Sequence, residues 1–247
     1  MSRLSSYHIM IVSKYLMTIN DFINLELVCK KFDGNMEKFH FNPIPLNYKT
    51  LRYFPNIETL HLWDVKDKNF KNGLITNTVE NGDCENKGVL KKKFFRIIVW
   101  SSVDFKIVNR NKSRNIEFKN VTYTQNYKNK FGNNIPRRVT SIGYKCFSEC
   151  SSLTSITIQS SVTSIGAWCF FDCINLSSIT IPSSVTSIGI QCFGECSSVR
   201  SVNIPSSVKS ISDGCFCKCS SLTSVTISLN VTLIGNQCFC GCSSLSK

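Results

Sequence analysis

From Val139 onward the apolar and polar positions recur with a fixed step of 23 residues. Val139, Val162, Val185, Val208 and Val231 each open a unit. Ile142, Ile165, Ile188, Ile211 and Ile234 hold the fourth place of their units. Gly143, Gly166, Gly189 and Gly235 follow, with Ser212 as the exception. A glycine kept at one place points to a backbone turn that a Cβ would strain. Next comes C-F-x-x-C, as in Cys146-Phe147 with Cys150, repeated in the other units. Leu153, Leu176, Val199, Leu222 and Leu245 then lead into a stretch of period-two alternation such as Ile156-Thr-Ile158. Its β-branched residues predict a short strand. Pro182 and Pro205, each before Ser-Ser, end that strand and turn the chain. The fifth unit stops at Lys247.

A unit this short cannot bury its own apolar face. Stacked units can, because like residues then form ladders through a continuous interior. The strands would lie in a parallel sheet along one side, about 4.7–4.9 Å apart. The C-F-x-x-C segment is expected to form a turn of helix or 3₁₀ on the other side, with both cysteines facing inward. The pattern therefore predicts an α/β solenoid over residues 139–247.

These features resemble the BspA-like leucine-rich repeat family, whose unit begins V-x-x-I-G-x-x-A-F and continues to C-x-x-L-x-x-I-x-I-P. Ile135-Pro136 looks like the tail of a preceding unit. The chain departs from the family by placing Cys where a small Ala usually precedes the Phe. The resemblance implies a right-handed leucine-rich-repeat coil stack used for protein recognition, known in surface-associated proteins of microbes and parasitic protists, and it implies no catalysis.

The first half is less regular. Phe22, Leu25, Cys29 and Phe32 share a helical face, with Asn20 or Asp21 as the expected cap. The string Asp21 to Phe32 resembles the second half of an F-box, D-L-x-x-L-x-x-V-C-K-x-F. The Leu-Pro that usually opens an F-box is replaced by Leu4-Ser5-Ser6. Residues 1–45 are thus read either as a helical cap for the first coil or, as the resemblance implies, as a dock for the Skp1 adaptor of a ubiquitin ligase. Residues 46–138 are read as a divergent repeat region. In it, Ile57, Leu60 and Leu62 repeat the spacing of Leu153, Ile156 and Ile158, and residues 94–108 are β-rich. Residues 64–92, polar and rich in Asn, Lys and Gly, are expected to form a loop or insertion.

Composition refines the function classes. The net charge of +13 comes almost wholly from residues 1–138, because residues 139–247 nearly balance. Lys91-Lys92-Lys93 and the stretch Lys106 to Arg114 carry much of it. A phosphate-rich or acidic partner is one reading and a solvated lysine-rich surface the other. Nucleic acid is not expected, since no nucleic-acid motif accompanies the charge. The three histidines, His8, His40 and His61, sit near no nucleophile constellation, and no phosphate-cradling glycine loop occurs. No enzyme, cofactor or metal site is expected.

Of the 14 cysteines, ten lie in the two ladders. They are expected to pack as small buried hydrophobes, with bridges between adjacent coils and zinc ligands as the alternatives. Cys217 and Cys240 are extra and sit one unit apart. No leader or membrane-length apolar run is read in the sequence, so an intracellular interaction scaffold is expected, with a surface-associated adhesin carrying bridged cysteines as the alternative. Candidate binding residues are the outward places of the predicted sheet: Ser155, Thr157, Ser178, Thr180, Arg200, Ser201, Asn203, Ser224 and Thr226. The fifth unit ends before its strand, which predicts self-association, or a partner, at an uncapped last coil.

Overall fold

The computed structural model describes residues 11–28, 30–46, 49–64, 94–112 and 115–245. The polar segment 64–92 therefore lies outside the described residues apart from Asp64, as do Cys29 and the three lysines at 91–93. The chain divides into two compact units. The first comprises residues 1–102 and 111–119, the second 103–110 and 120–247.

In the first unit, helix α1 spans Ile19–Val28. Its cap is Thr18, not Asn20 or Asp21. The Asp21 carboxylate accepts the Thr18 amide (2.8 Å) and hydroxyl (2.9 Å), and the Asp21 amide donates back to the Thr18 hydroxyl (3.3 Å). This is a reciprocal capping box with aspartate at its third position. These donors hold the Asp21 carboxyl below the usual carboxylate range. Phe22 is fully buried, with edge-to-face contacts to Phe39 (5.8 Å) and Phe54 (5.4 Å). Met36, Ile44, Leu46, Leu51 and Ile57 complete this core. Strand β1 (Thr59–Leu62) alternates half-buried and buried residues, and pairs in parallel with β2 (Arg96–Asp104) from Thr59↔Arg96 to Leu62↔Val99. The buried Asn42 acts as a spacer: its amide donates to the Ile44 and His61 carbonyls and its oxygen accepts the His61 amide.

The second unit contains α2 (Phe105–Arg110), the end of β3 (Ile116–Tyr123), α3 (Gln125–Phe131) and the coil stack. Each coil supplies two short strands rather than one. The first ladder is built by β4 (Ser141–Ile142), β6 (Ser164–Ile165) and β8 (Ser187–Ile188), and continues as the pair β10 (Ser210–Ile211) and β12 (Leu233–Ile234). The second ladder pairs β5 (Ser155–Thr157) with β7 (Ser178–Thr180), and β9 (Ser201–Ile204) with β11 (Ser224–Ile227). All of these pairs are parallel and in register with the sequence repeat. The expected parallel-sheet solenoid is thus the observed fold.

The interior is a set of like-on-like columns. The rings of Phe147, Phe170, Phe193, Phe216 and Phe239 stack at 5.2, 5.3, 5.3 and 5.6 Å, tilted by no more than 10°. Tyr123 extends the column beyond Phe147. Burying each phenyl ring contributes about 1.5–3 kcal/mol, and each stack about 0.5–1.5 more. Val139, Val162, Val185 and Val208 form a second sealed column, and Cys146, Cys169, Cys192 and Cys215 a third.

Two local expectations are corrected. The C-F-x-x-C segment forms neither helix nor 3₁₀; it is a run of tight turns. Lys145, Trp168, Gln191, Gly214 and Gln237 adopt left-handed backbone at one place, and Glu149, Asp172, Glu195, Lys218 and Gly241 at another. Two left-handed residues per coil turn alternate amides toward the neighbouring coil, so Lys145, Phe147 and Glu149 donate to the Ala167, Cys169 and Phe171 carbonyls. The turn side is therefore stitched by its own hydrogen-bond ladder, which offsets the roughly 1–2 kcal/mol each non-glycine residue loses in that conformation.

The second correction concerns the repeated glycine. Its φ is not left-handed at Gly143, Gly166, Gly189 or Gly235. What requires glycine is close approach: a Cβ on Gly166 would lie 2.7 Å from the Gly143 carbonyl carbon and 2.8 Å from the Tyr144 nitrogen. The approach lets the Gly166, Gly189 and Gly235 amides reach the Ile142, Ile165 and Ile211 carbonyls at 2.8 Å. At Ser212, which carries a Cβ, its hydroxyl serves the Ile188 carbonyl instead (2.6 Å), and no such amide bond forms among the described residues. The first ladder is interrupted at this step, between β8 and β10.

Candidate functional site

The structure brings the predicted sheet residues together. Ser155 lies beside Ser178 and Thr157 beside Thr180; Ser201 lies beside Ser224 and Asn203 beside Thr226. All eight are exposed, as is Arg200, while Ile179, Val202 and Ile204 between them point inward. Alternation on a pleated strand produces this division directly. The face offers hydroxyls and amides and no aromatic anchor. Neighbouring Ser and Thr side chains at coil edges serve the fold itself: Ser161, Ser184 and Ser207 donate to the Val139, Val162 and Val185 carbonyls of the preceding coil.

A second surface, outside the predicted sheet residues, lies in the first unit. On the outward face of β1 and β2, the Trp63 and Trp100 rings stack at 5.5 Å with a 9° tilt. His61 lies 5.1 Å from Trp63 and 6.0 Å from Trp100, and stacks on Phe41 at 5.3 Å. The two tryptophans remain 39% and 36% exposed, large values for rings that are usually sheltered. Lys14 lies over Phe41 (5.9 Å) and Lys119 over Trp100 (5.7 Å), so cations bound the band. Arg96 and Lys119 share the Glu117 carboxylate, which they hold below its usual range. Burial, assisted by Arg96, depresses the His61 imidazole, so at neutral pH it serves as a neutral ring. The only sequence signal was the matched spacing of two aromatic-bearing strands, invisible until the register placed them side by side.

The basic stretch beginning at Lys106 contributes to a cleft of about 300 Å³ between α2 and α3, lined among others by Lys106, Arg110, Asn126, Lys130 and Phe131. The Asp104 carboxylate at its edge is occupied by the Thr124 hydroxyl (2.5 Å) and the Lys106 amide (2.8 Å). Phe105 packs edge-on against Tyr127 at 4.9 Å and fixes the two helices.

All twelve described cysteines are free thiols. Those of the second column act as hydrogen-bond donors: Cys173, Cys196, Cys219 and Cys242 reach the Phe147, Phe170, Phe193 and Phe216 carbonyls at 3.0–3.1 Å. In the first column burial pushes the Cys146 thiol up to about 12. Cys150 instead meets the Lys128 ammonium at 2.9 Å. Among the described residues no three His, Cys, Asp or Glu side chains converge, and no helix is long and apolar enough to cross a membrane.

A parallel coil stack with a 23-residue period and a continuous phenylalanine column defines a leucine-rich-repeat solenoid. The profile described as BspA type Leucine rich repeat region matches residues 122–246 in six copies, and the chain belongs to that family. No match supports the F-box resemblance of residues 21–32, and no curated protein matches. Among solved structures, a Treponema pallidum leucine-rich repeat protein is 26% identical, with a TM-score of 0.44 over 52% of this chain. A leucine-rich cell surface protein from Faecalibacterium prausnitzii is 30% identical (TM-score 0.41, 59% of this chain). A Bacteroides ovatus leucine-rich repeat protein is 18% identical (TM-score 0.40, 78% of this chain). The matches span 65%, 41% and 49% of those proteins respectively.

Proposed function

We propose that this protein is a non-enzymatic protein–protein interaction scaffold anchored by the aromatic band Phe41, His61, Trp63 and Trp100. The observation that supports it is the pair of stacked, one-third-exposed tryptophans bounded by Lys14 and Lys119. Binding energy concentrates at Trp, Tyr and Arg in partly desolvated patches. The partner that fits presents an apolar or aromatic anchor flanked by acidic side chains. The Ser/Thr face, from Ser155 and Thr157 to Ser224 and Thr226 with Arg200, supplies a second, polar surface, suited to orientation more than to affinity. The test is capture from native lysate with the full chain, Trp63→Ala/Trp100→Ala, and Ser178→Ala/Thr180→Ala side by side. The reading requires captured proteins to fall at least about tenfold with the tryptophan variant, one or two lost anchors' worth. Equal capture by all three chains overturns it.

One observation favours a finer reading, docking to a Skp1-type adaptor. Tyr15, Met17, Leu27 and Val28 are each more than 70% exposed, which leaves apolar side chains just before α1 and at its end open to a partner. Binding of the full chain to Skp1, weakened by Leu27→Ala/Val28→Ala, supports adaptor docking; no binding removes it. Ile234 is exposed where Ile142, Ile165, Ile188 and Ile211 of earlier coils are buried, and Leu233 beside it is exposed in the place of their serines, an edge on which a further coil or a second copy would stack. Mass measured over a dilution series tests association there: a monomer at every concentration counts against a second copy.

A further inference from the structure

Ser148, Phe171, Gly194, Cys217 and Cys240 share one place in successive units, directly after the stacked phenylalanine. The last two are thiols, and they differ from the ladder cysteines. Cys240 is exposed and Cys217 half-buried, whereas Cys169, Cys192 and Cys215 are sealed. Cys173, Cys196, Cys219 and Cys242 are held by phenylalanine carbonyls. No carbonyl holds Cys217 or Cys240 among the described residues. The backbone on both sides of Cys217 is clamped to the next coil: the Phe216 amide donates to the Cys238 carbonyl (2.8 Å) and the Lys218 amide to the Cys240 carbonyl (2.6 Å). The Phe216 and Phe239 rings beside them are one coil step apart, at 5.6 Å. Parallel neighbours in such a ladder lie about 4.7–4.9 Å apart, inside the roughly 4.4–6.8 Å Cα range that a disulfide spans without backbone movement.

We propose that Cys217 and Cys240 form a dithiol modification site whose substrate is a small disulfide of the glutathione class. The more exposed Cys240 reacts first. Its thiol loses a proton to solvent and the thiolate attacks one sulfur of the small disulfide, breaking that S–S bond and releasing one small thiolate. The Cys217 thiolate then attacks the Cys240 sulfur and expels the second small thiol. Overall, two protein thiols and one small disulfide give one protein disulfide and two small thiols; the cysteines are oxidised and the small disulfide is reduced. The product ties the last two coils together outside the packed core, so neither the phenylalanine column nor the valine column has to shift. Stapling slows opening of the last coil, where Leu233 and Ile234 are exposed.

The full reduced chain is treated with glutathione disulfide and followed by intact mass and peptide mapping. Cleavage after Lys218 separates Cys217 from Cys240. The expected product has lost two hydrogens, about 2 Da, and joins the peptide holding Cys217 to the one holding Cys240. Cys217→Ser is expected to arrest at a stable glutathione adduct on Cys240, and Cys240→Ser to form no cross-link. The other ten described thiols are expected to react at least about tenfold more slowly until the chain is denatured. Three results overturn the proposal: a lasting adduct on Cys240 in the unsubstituted chain, an undiminished cross-link in either variant, or native thiols that all stay inert while the denatured chain reacts. The unsubstituted chain alone distinguishes a cross-link from an adduct, so the test does not depend on either variant folding.

Discussion

Replacing Gly166 by alanine tests whether coil spacing, and not backbone conformation, explains the repeated glycine. The added methyl would lie 2.7–2.9 Å from three backbone atoms of the preceding coil, in Gly143 and Tyr144, none of which is a flexible side-chain end. Relief requires the coils to separate by several tenths of an ångström, and the Gly166 amide then loses the Ile142 carbonyl it reaches at 2.8 Å. Overpacking against fixed neighbours costs about 1–3 kcal/mol and the lost hydrogen bond about 1. The smaller entropy of the unfolded alanine chain returns about 0.4–1. The net expectation is a loss of about 1–3 kcal/mol, read as a lower denaturant midpoint at unchanged slope. Gly166→Ser should lose about 1 kcal/mol less, because a hydroxyl can replace the amide donor as Ser212 does at 2.6 Å from the Ile188 carbonyl. Gly143→Ala should also be milder, since its first contacts, at 3.2 and 3.3 Å, include a threonine methyl. If Gly166→Ala is as stable as the unsubstituted protein, or more so, the close-approach argument fails.

Three further outcomes follow from the packing. Phe193→Ala should cost about 3–5 kcal/mol in chemical denaturation, and Phe239→Ala clearly less, because Phe193 is sealed between two rings and Phe239 stacks on one described ring; equal losses would contradict a continuous column. Glu149→Gly should be neutral or stabilising by up to about 1 kcal/mol and Glu149→Val destabilising, since Glu149 is exposed at φ 59°; the reverse order in thermal melts would refute the left-handed turn. Stability should fall above about pH 9. Burial raises the Cys146 and Cys219 thiols to about 12 and Cys238 to about 11, while the unfolded thiol ionises near 8.5. The contribution of these thiols is thus full below the unfolded value and is lost as pH rises toward the folded values, because the unfolded chain sheds protons the fold retains; midpoints constant from pH 7 to 11 would contradict buried thiols.

The coil stack was legible because its cause is repetition: the Val, Ile, Cys and Phe columns can be sealed only by copies of themselves. The outward positions from Ser155 to Thr226 were readable for the same reason, since strand alternation fixes them. The turn side was not, because left-handed backbone is carried there mostly by Lys, Glu, Gln, Asp and Trp, with only Gly214 and Gly241 to betray it. Gly166 was read as a turn residue because a sequence does not distinguish torsional freedom from lack of space. The helix cap was misplaced by a few residues, since Thr18 and Asp21 share the role and either could open a helix. The tryptophan pair was hidden for a topological reason: β1 and β2 join across a long intervening segment, and only their register, Leu62 beside Val99, sets Trp63 next to Trp100.

Side chains 23 residues apart meet along one interior. Proton NMR with selectively labelled phenylalanine tests this directly. Ring-to-ring nuclear Overhauser contacts are expected between Phe147 and Phe170, Phe170 and Phe193, and Phe193 and Phe216, whose centroids lie 5.2–5.3 Å apart. A well-folded protein in which those contacts are absent, with each ring instead packed on residues of its own unit, would contradict it.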